Sequence, residues 1–481
     1  MLRRYFLTLE IKDQNPLGYE RIGKLMLKFA IPSIVSLVFN SIYNMVDQIF
    51  IGQKIGYLGN AATNVIFPLT VLGIALSIMF GDGGAAFVSL NLGKDEKEEA
   101  SKGAANSIMM SSILGVALCV FVLLFLEPLC RILGATDRVI SYALEYGGII
   151  AWGLPFTMFA GCGNSLIRAD GRPKLSMLSM IVGTVTNIIL DPIFIFIFEW
   201  GMAGAAWATI IGQILSAVIT FVCLLKMKNI HIGKSNLRLN FKVIRRVSGL
   251  GISSFITQVA IVIIVTMYNI LLTKYGSVSV YGAEIPLAAH GITMKVNQVV
   301  MGICMGLASG CQPIMGFNYG AGQFERVKKT ILRCIVISMS VMAVATVIYQ
   351  VFPMSIIRIF GSESKLYNQF AMLSFRIFLL ASILDGFHIC TGIYFQATGK
   401  PVLATITSIT RQVIFIIPIS ITFAALFGVV GVLWAGPVSD TLAFIIAFIL
   451  MFREMKLLKN KAESSGKEAA QNESKDYYHQ P

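Results

Sequence analysis

Asn40, Tyr43, Asn44 and Asp47 stand at i, i+3, i+4 and i+7, so one helix face carries an acid, two amides and a phenol. Thr184, Asn187 and Asp191 share a second face, closed by Pro192, which frees backbone carbonyls a turn earlier. Oxygen donors in this arrangement hold a hard cation or share protons between carboxylates. The plainer alternative is that these groups only hydrogen-bond helices together. Two acids with aligned amides favour function, because a charge at bilayer depth costs about 2.5–3.5 kcal/mol.

The second half of the chain does not repeat this chemistry. Its corresponding stretch, Arg411-Gln-Val-Ile-Phe-Ile-Ile-Pro418, has no aspartate before its proline. Gln258 and Asn269 share a face, and Asp385 and His388 stand at i and i+3, spaced for a titrating pair. Met294, Met301 and Met305 form a stripe that suits either core packing or a pliable pocket wall. Asp82, among the glycines of Phe80-Gly-Asp-Gly-Gly84, reads as packing or a local cap, and Asp440 has no evident partner. Lys295, Arg376 and Arg411 are the bases inside apolar stretches.

The elements that carry these residues follow from composition. Of 481 residues, 56% are hydrophobic and 13% charged, about half the charged share of a soluble domain. That excludes a string of soluble domains with wetted exteriors. Windows of about 20 apolar residues give twelve spans: 29–51, 65–90, 104–127, 142–166, 175–198, 203–225, 249–273, 287–312, 330–352, 370–394, 402–424 and 429–452. The expected fold is an all-α polytopic membrane protein of twelve transmembrane helices in two parallel-repeat six-helix bundles. Its organisation is a cytoplasmic segment 1–28, an N-lobe 29–225, a basic linker 226–248, a C-lobe 249–452 and a disordered cytoplasmic tail 453–481.

The net charge of +14 does not point to nucleic acid, because the bases punctuate apolar runs instead of forming a patch. Of 39 Lys and Arg, only Lys54, Arg131, Arg138, Lys274, Arg358 and Lys365 fall on the loops assigned outside. Both termini are therefore expected in the cytoplasm. The 8 cysteines lie mostly in apolar runs without a CxxC pair and read as buried thiols. No HExxH, GxSxG or P-loop motif occurs, so no enzyme is expected.

The halves repeat at a shift of about 227 residues. Asn60-Ala-Ala-Thr-Asn64 meets Leu287-Ala-Ala-His-Gly291, and Asn91-Leu-Gly93 meets Asn318-Tyr-Gly320. Ala169-Asp-Gly-Arg-Pro173 meets Ala397-Thr-Gly-Lys-Pro401, and Gly201 to Ala208 meets Gly428 to Ala435. Six spans per unit make the repeats parallel, with a site between lobes that rock.

At these residues the chain resembles the MATE family (multidrug and toxic compound extrusion), in its bacterial DinF/MepA-like branch, over about residues 15–453. The carriers are Asn15-Pro-Leu-Gly-Tyr19, Tyr43-Asn-Met-Val-Asp-Gln-Ile-Phe-Ile-Gly52, Ile167-Arg-Ala-Asp-Gly171, Asn187-Ile-Ile-Leu-Asp-Pro192 and Asn318-Tyr-Gly-Ala321 before Glu325-Arg326. The resemblance implies an exporter of the bacterial inner membrane, with two bundles facing a central cleft and an inward cation gradient driving export. Its cation site maps onto Asp47, Asn187, Asp191 and Thr209, which would take H⁺ or, as the alternative, Na⁺. Asn40, Tyr43 and Asn164 would line the same cavity, and Asn44, Gln258, Asn269, Met294, Asp385 and His388 complete the expected substrate lining. The Na⁺-driven branch carries acids in the seventh and tenth spans. Here Asp385 supplies the second but Gln258 stands in the seventh span, which makes H⁺ the first choice. The expected partners are structurally diverse drugs, dyes and toxic cations and the lipid bilayer, for a monomer needing no cofactor beyond its coupling ion. A lipid-linked oligosaccharide flippase is the alternative. It would need several cavity bases, and only Lys295, Arg376 and Arg411 are available.

Overall fold

The computed structural model describes residues 15–233, 236–360 and 364–478. The first part of the expected 1–28 segment and Ser235 therefore lie outside it. The described chain is helical throughout its ordered elements. A short helix, Pro16–Tyr19, precedes the first span at Ile22–Lys54. The rest of the N-lobe follows as Tyr57–Gly93, Lys97–Leu124, Ile140–Ala169, Pro173–Pro192 and Gly201–Leu225. The C-lobe opens with Phe241–Ser277, Glu284–Gly320 and Phe324–Val351.

Its tenth span is broken: Lys365–Phe378 and Ile383–Ala397 meet at a 49° bend. The eleventh and twelfth spans run together through Pro401–Ser464, but Gly428 at φ 64 and ψ −147 interrupts the helix. Arg411 bonds Asp440 across that glycine, which only a chain reversal permits. With this reversal counted, the chain makes the twelve spans expected.

Helix ends moved outward from the hydrophobic windows. The first span starts at Ile22, inside the segment expected as 1–28, and the seventh at Phe241, which shortens the linker. Basic residues continue the helices beyond the hydrocarbon. The tail expected to be disordered from 453 is instead helix through Tyr478. Leu458 is buried there, and Glu454 pairs with Lys400 and accepts from the Tyr394 hydroxyl at 3.0 Å. Those contacts dock its first turns onto the C-lobe.

The repeat is visible in the turns. Gly171 and Gly399 both take positive φ, 91 and 76, and Pro173 and Pro401 both open the next helix. A left-handed glycine ends one helix and a proline at N1 starts the next. The segments around Leu17 and Lys461 lie on one face, that of the described ends. There Asn318 donates to the Leu17 carbonyl at 3.0 Å, and Lys461 donates to the Tyr319 hydroxyl at 3.1 Å.

Three apolar cores organise the packing. One sits at the face of the termini and draws on both lobes: Phe29, Phe80 and Leu166 with Val247, Ile314 and Phe395. The other two occupy the far half and stay within single lobes, one around Ile66, Ile150 and Leu154, the other around Tyr268, Leu272 and Phe370. The lobes are therefore joined at the termini and separate at the opposite face. Close backbone approach makes the joint: a Cβ added to Gly83 in the second span would lie 2.8 Å from the Gly251 nitrogen in the seventh.

Candidate functional site

The first and fifth spans pack side by side in the N-lobe, which turns the two acidic faces toward each other. The Asp47 and Asp191 carboxyl groups lie against one another, and the Tyr43 hydroxyl lies against Thr209 of the sixth span. Asn187 donates from Nδ2 to Asp191 Oδ1 at 3.2 Å and to Thr209 Oγ1 at 3.1 Å. Asp47, Asn187, Asp191 and Thr209 are deeply buried, with Asp191 at 0% exposure. Asp47 Oδ1, Asp191 Oδ2 and Asn187 Oδ1 have no hydrogen-bond donor among the described residues. A pair of buried carboxyls beside an unsatisfied amide oxygen needs positive charge, from a proton or a hard cation. The fifth span relaxes into a π-helical turn, Ile193–Ile197, directly after Pro192, a local widening that often accompanies functional sites.

Around this cluster the expected cavity residues separate. Asn40 and Asn44 are exposed and Tyr43 half-buried, all on the cluster side of the first span. Asn44 turns its amide back onto the Asn40 carbonyl at 2.7 Å. Asn164, expected in the same cavity, is not there. Its neighbours Gly163 and Ser165 meet Thr220 and Asp82 near the face of the termini, because it stands at the far end of its span from the cluster. Gln258 and Met294 are half-buried and Asn269 exposed, on C-lobe spans.

Asp385 and His388 do not form the expected pair. The His388 ring Nε2 bonds the Thr407 carbonyl at 3.0 Å, whereas Asp385 meets Arg411 Nη2 at 2.8 Å. The same guanidinium donates from Nε to Asp440 Oδ1 at 2.9 Å. Arg411 sits in the π-helical turn Thr410–Phe415. The C-lobe thus closes its acids with its own base.

Asp82 also has a larger part than a local cap. Its Oδ1 accepts from Ser165 at 3.0 Å and its Oδ2 from Ser254, across the lobe boundary, at 3.4 Å. Gln312 donates to the Asp82 carbonyl at 3.2 Å, and Gln396 donates to Ser254 at 3.1 Å and to the Leu250 carbonyl at 2.9 Å. A polar network therefore crosses between lobes at the joined face. No local pattern in the sequence flags it, since its members lie on five different spans.

Comparison with known proteins places these features in context. The family model described as MatE matches residues 32–193 and 254–422, leaving out the sixth span with the linker and the stretch after 422. The chain is 27% identical over 461 residues to the "Multidrug export protein MepA" of Staphylococcus haemolyticus (strain JCSC1435), covering 94% of this chain and 99% of that protein. It is 25% identical over the same length, with the same coverage, to the protein of that name from Staphylococcus saprophyticus subsp. saprophyticus. A solved structure described as the "Outward-facing conformation of a multidrug resistance MATE family transporter of the MOP superfamily" superposes with TM-score 0.85 at 23% identity, covering 91% of this chain and 97% of that one. The fold is shared along nearly the whole chain.

Proposed function

The chain belongs to the MatE family, and from that premise we propose that it exports structurally diverse, mainly cationic lipophilic compounds across the bacterial inner membrane, driven by entry of H⁺ or, as the alternative, Na⁺. The observation that carries this reading is the Asp47–Asp191 pair, with its unsatisfied oxygens and, among the described residues, no base in contact. A proton or Na⁺ would neutralise the pair, and so would a cationic drug drawn to it. Coupling ion and cargo then compete for one charge, which is the elementary requirement of an antiporter. Asp47, Asn187, Asp191 and Thr209 hold the ion, and Asn40, Tyr43 and Asn44 face the cargo.

Both termini are assigned to the cytoplasm, so the separated ends of the lobes face outward. Export proceeds by alternating access. Cation loading from outside favours release of drug, after which the lobes rock about their joint and the cation leaves inward. The flippase alternative depended on free bases in the cavity. Of the three candidate bases Arg411 is held by two acids and Arg376 bonds the Gln350 carbonyl at 3.3 Å, which leaves Lys295 alone where that reading needs several and favours the exporter. The deciding experiment is dye efflux from proteoliposomes under an imposed H⁺ gradient and, separately, an imposed Na⁺ gradient. Efflux under neither would reject the reading.

A further inference from the structure

The linker between the lobes is fastened at three places. Asp170, buried in the turn after the fourth span, accepts the backbone N–H groups of Lys228 and Asn229 at 2.9 and 2.8 Å. Ser101 Oγ, on the third span, accepts the His231 N–H at 3.2 Å. Asn106, further along that span, accepts the Asn240 N–H at 2.8 Å and donates to the Arg238 carbonyl at 3.4 Å. Between these fastenings the linker and the first turns of the third span leave a cavity of about 360 Å³, lined by Lys97, Ser101, Lys228, Asn229, His231 and Asn236. Glu98 also borders it, and Lys102 meets that carboxylate at 2.8 Å.

Its depth in the bilayer follows from the third span. The apolar run begins at 104, so Asn106 marks the edge of the hydrocarbon. Ser101 stands five residues further out, ~7.5 Å along the helix, which reaches the headgroup layer of about 5–7 Å on each side. The segment leaving the cavity then alternates apolar and basic residues from Leu237 to Lys242. Leu237, Leu239 and Phe241 are exposed, the last at 82%. Arg238, Lys242, Arg245 and Arg246 are also exposed and engage no ion pair among the described residues. Apolar side chains bare at the hydrocarbon edge are covered by acyl chains, and unpaired bases beside them attract anionic headgroups.

We propose that this cavity holds the headgroup of one anionic glycerophospholipid from the leaflet at the joined face, with its chains lying along Leu237, Leu239 and Phe241. The phosphate meets the Lys97 and Lys228 ammonium groups and the His231 ring. Lys97 otherwise reaches only Asp95, at 3.5 Å on the surface, a pair that yields readily to a stronger partner. The space equals about a dozen waters at ~30 Å³ each, room enough for a glycerophosphate. A zwitterionic lipid would bring its own ammonium among these bases and is disfavoured. The site goes beyond the exporter reading and is independent of it, because lipid binding at equilibrium needs neither an ion gradient nor cargo.

The test compares phosphatidylglycerol and phosphatidylcholine with the same chains and the same fluorescent label on one of them. Each is titrated onto the purified full-length protein in detergent. Wild type is expected to prefer phosphatidylglycerol. Lys97→Gln with Lys228→Gln should weaken that lipid about thirtyfold, the scale of two lysines facing an anionic headgroup, and leave phosphatidylcholine unchanged. Both lysines are exposed, so folding should survive. Lys329→Gln with Lys459→Gln removes equal charge from other exposed positions and should keep the preference. Leu239→Ser with Phe241→Ser should weaken both lipids. No preference in wild type, or an equal loss from the Lys329 and Lys459 pair, would reduce the site to diffuse positive charge and overturn the proposal. Displacement of the labelled lipid by millimolar inorganic phosphate, or indifference to the two serines, would make it a pocket for free anions and overturn it as well.

Discussion

Arg411 donates to Asp440 at 2.9 Å although the two stand 29 positions apart, and the contact fixes how the last two spans fold back on each other. Asp385 shares the same guanidinium. In the opposite lobe Asp47 and Asp191 face each other with no base in contact among the described residues. One lobe carries its own counter-charge and the other must borrow one, and the behaviour expected of each differs accordingly.

Asp47→Asn is expected to abolish export while the protein still inserts and elutes as a single species, because the charge serves coupling and not packing. Asp191→Asn should behave alike. Efflux assays on size-exclusion-purified protein in proteoliposomes check both, and normal efflux by both variants would return the cluster to a helix-bonding role.

Acidification is expected to weaken binding of a monovalent cationic dye to the purified protein. A proton shared between Asp47 and Asp191 removes the negative charge that attracts the dye. Dye titrations across a pH series, with and without Na⁺, measure this, and Asp47→Asn should flatten the profile. A wild-type affinity indifferent to both pH and Na⁺ would exclude competition.

Removing the C-lobe base should harm stability before transport. Arg411→Met leaves two buried carboxylates unpaired, a loss of about 3–5 kcal/mol for a broken buried pair. Thermal melting in detergent should drop clearly, and adding Asp385→Asn with Asp440→Asn should restore much of it. A melting temperature unchanged by Arg411→Met would mean that the ion pairs carry no net weight.

The network across the lobe boundary is expected to act as a latch at the joined face. Gln312→Leu with Gln396→Leu removes the donors to the Asp82 carbonyl, across the boundary, and to the Leu250 carbonyl and Ser254 hydroxyl beside it, at about 0.5–1.5 kcal/mol net for each bond lost. A cysteine at Ser89, buried against Gly316 of the other lobe, should then react faster with a small maleimide. Equal labelling with and without the leucines would deny the latch.

Topology can be read with the same chemistry. Ser277→Cys should label from outside and Ser464→Cys only from the cytoplasm. Ser235→Cys, in the linker, is expected to follow Ser464→Cys. Because all 8 native cysteines are buried, they should stay silent toward bulky reagents.

Much of the fold was legible because it rests on short-range patterns. Apolar length marked the spans, and helical spacing brought Asn40, Tyr43, Asn44 and Asp47 onto one side. The glycine and proline pairs at Gly171–Pro173 and Gly399–Pro401 announced the repeat. Thr209 entered only through resemblance, since a single threonine in an apolar helix carries no pattern. Asp440 and Arg411 could not be paired in advance, because their meeting depends on where the chain turns, and Gly428 alone sets that. Asn164 was misplaced for a related reason: a helical wheel gives the direction of a side chain but not its depth relative to another span. The docked tail was missed because polar composition hid Glu454, Leu458 and their partners.

In the exporter proposed above, the common core at one face and the divided cores at the other would work as tweezers. A rotation of about 10° at the joined end, acting along a lever of about 30 Å, the thickness of the hydrocarbon, moves the far tips by about 5 Å. Slippage too small to disturb the packing of Gly83 on Gly251 is thus amplified at the mouth into a displacement as wide as an aromatic ring. The gain of the device is set by lobe length, and its stiffness by how tightly those two glycine backbones are pressed together. A single methyl group at either glycine should change how far the mouth opens without touching any residue that meets ion or cargo.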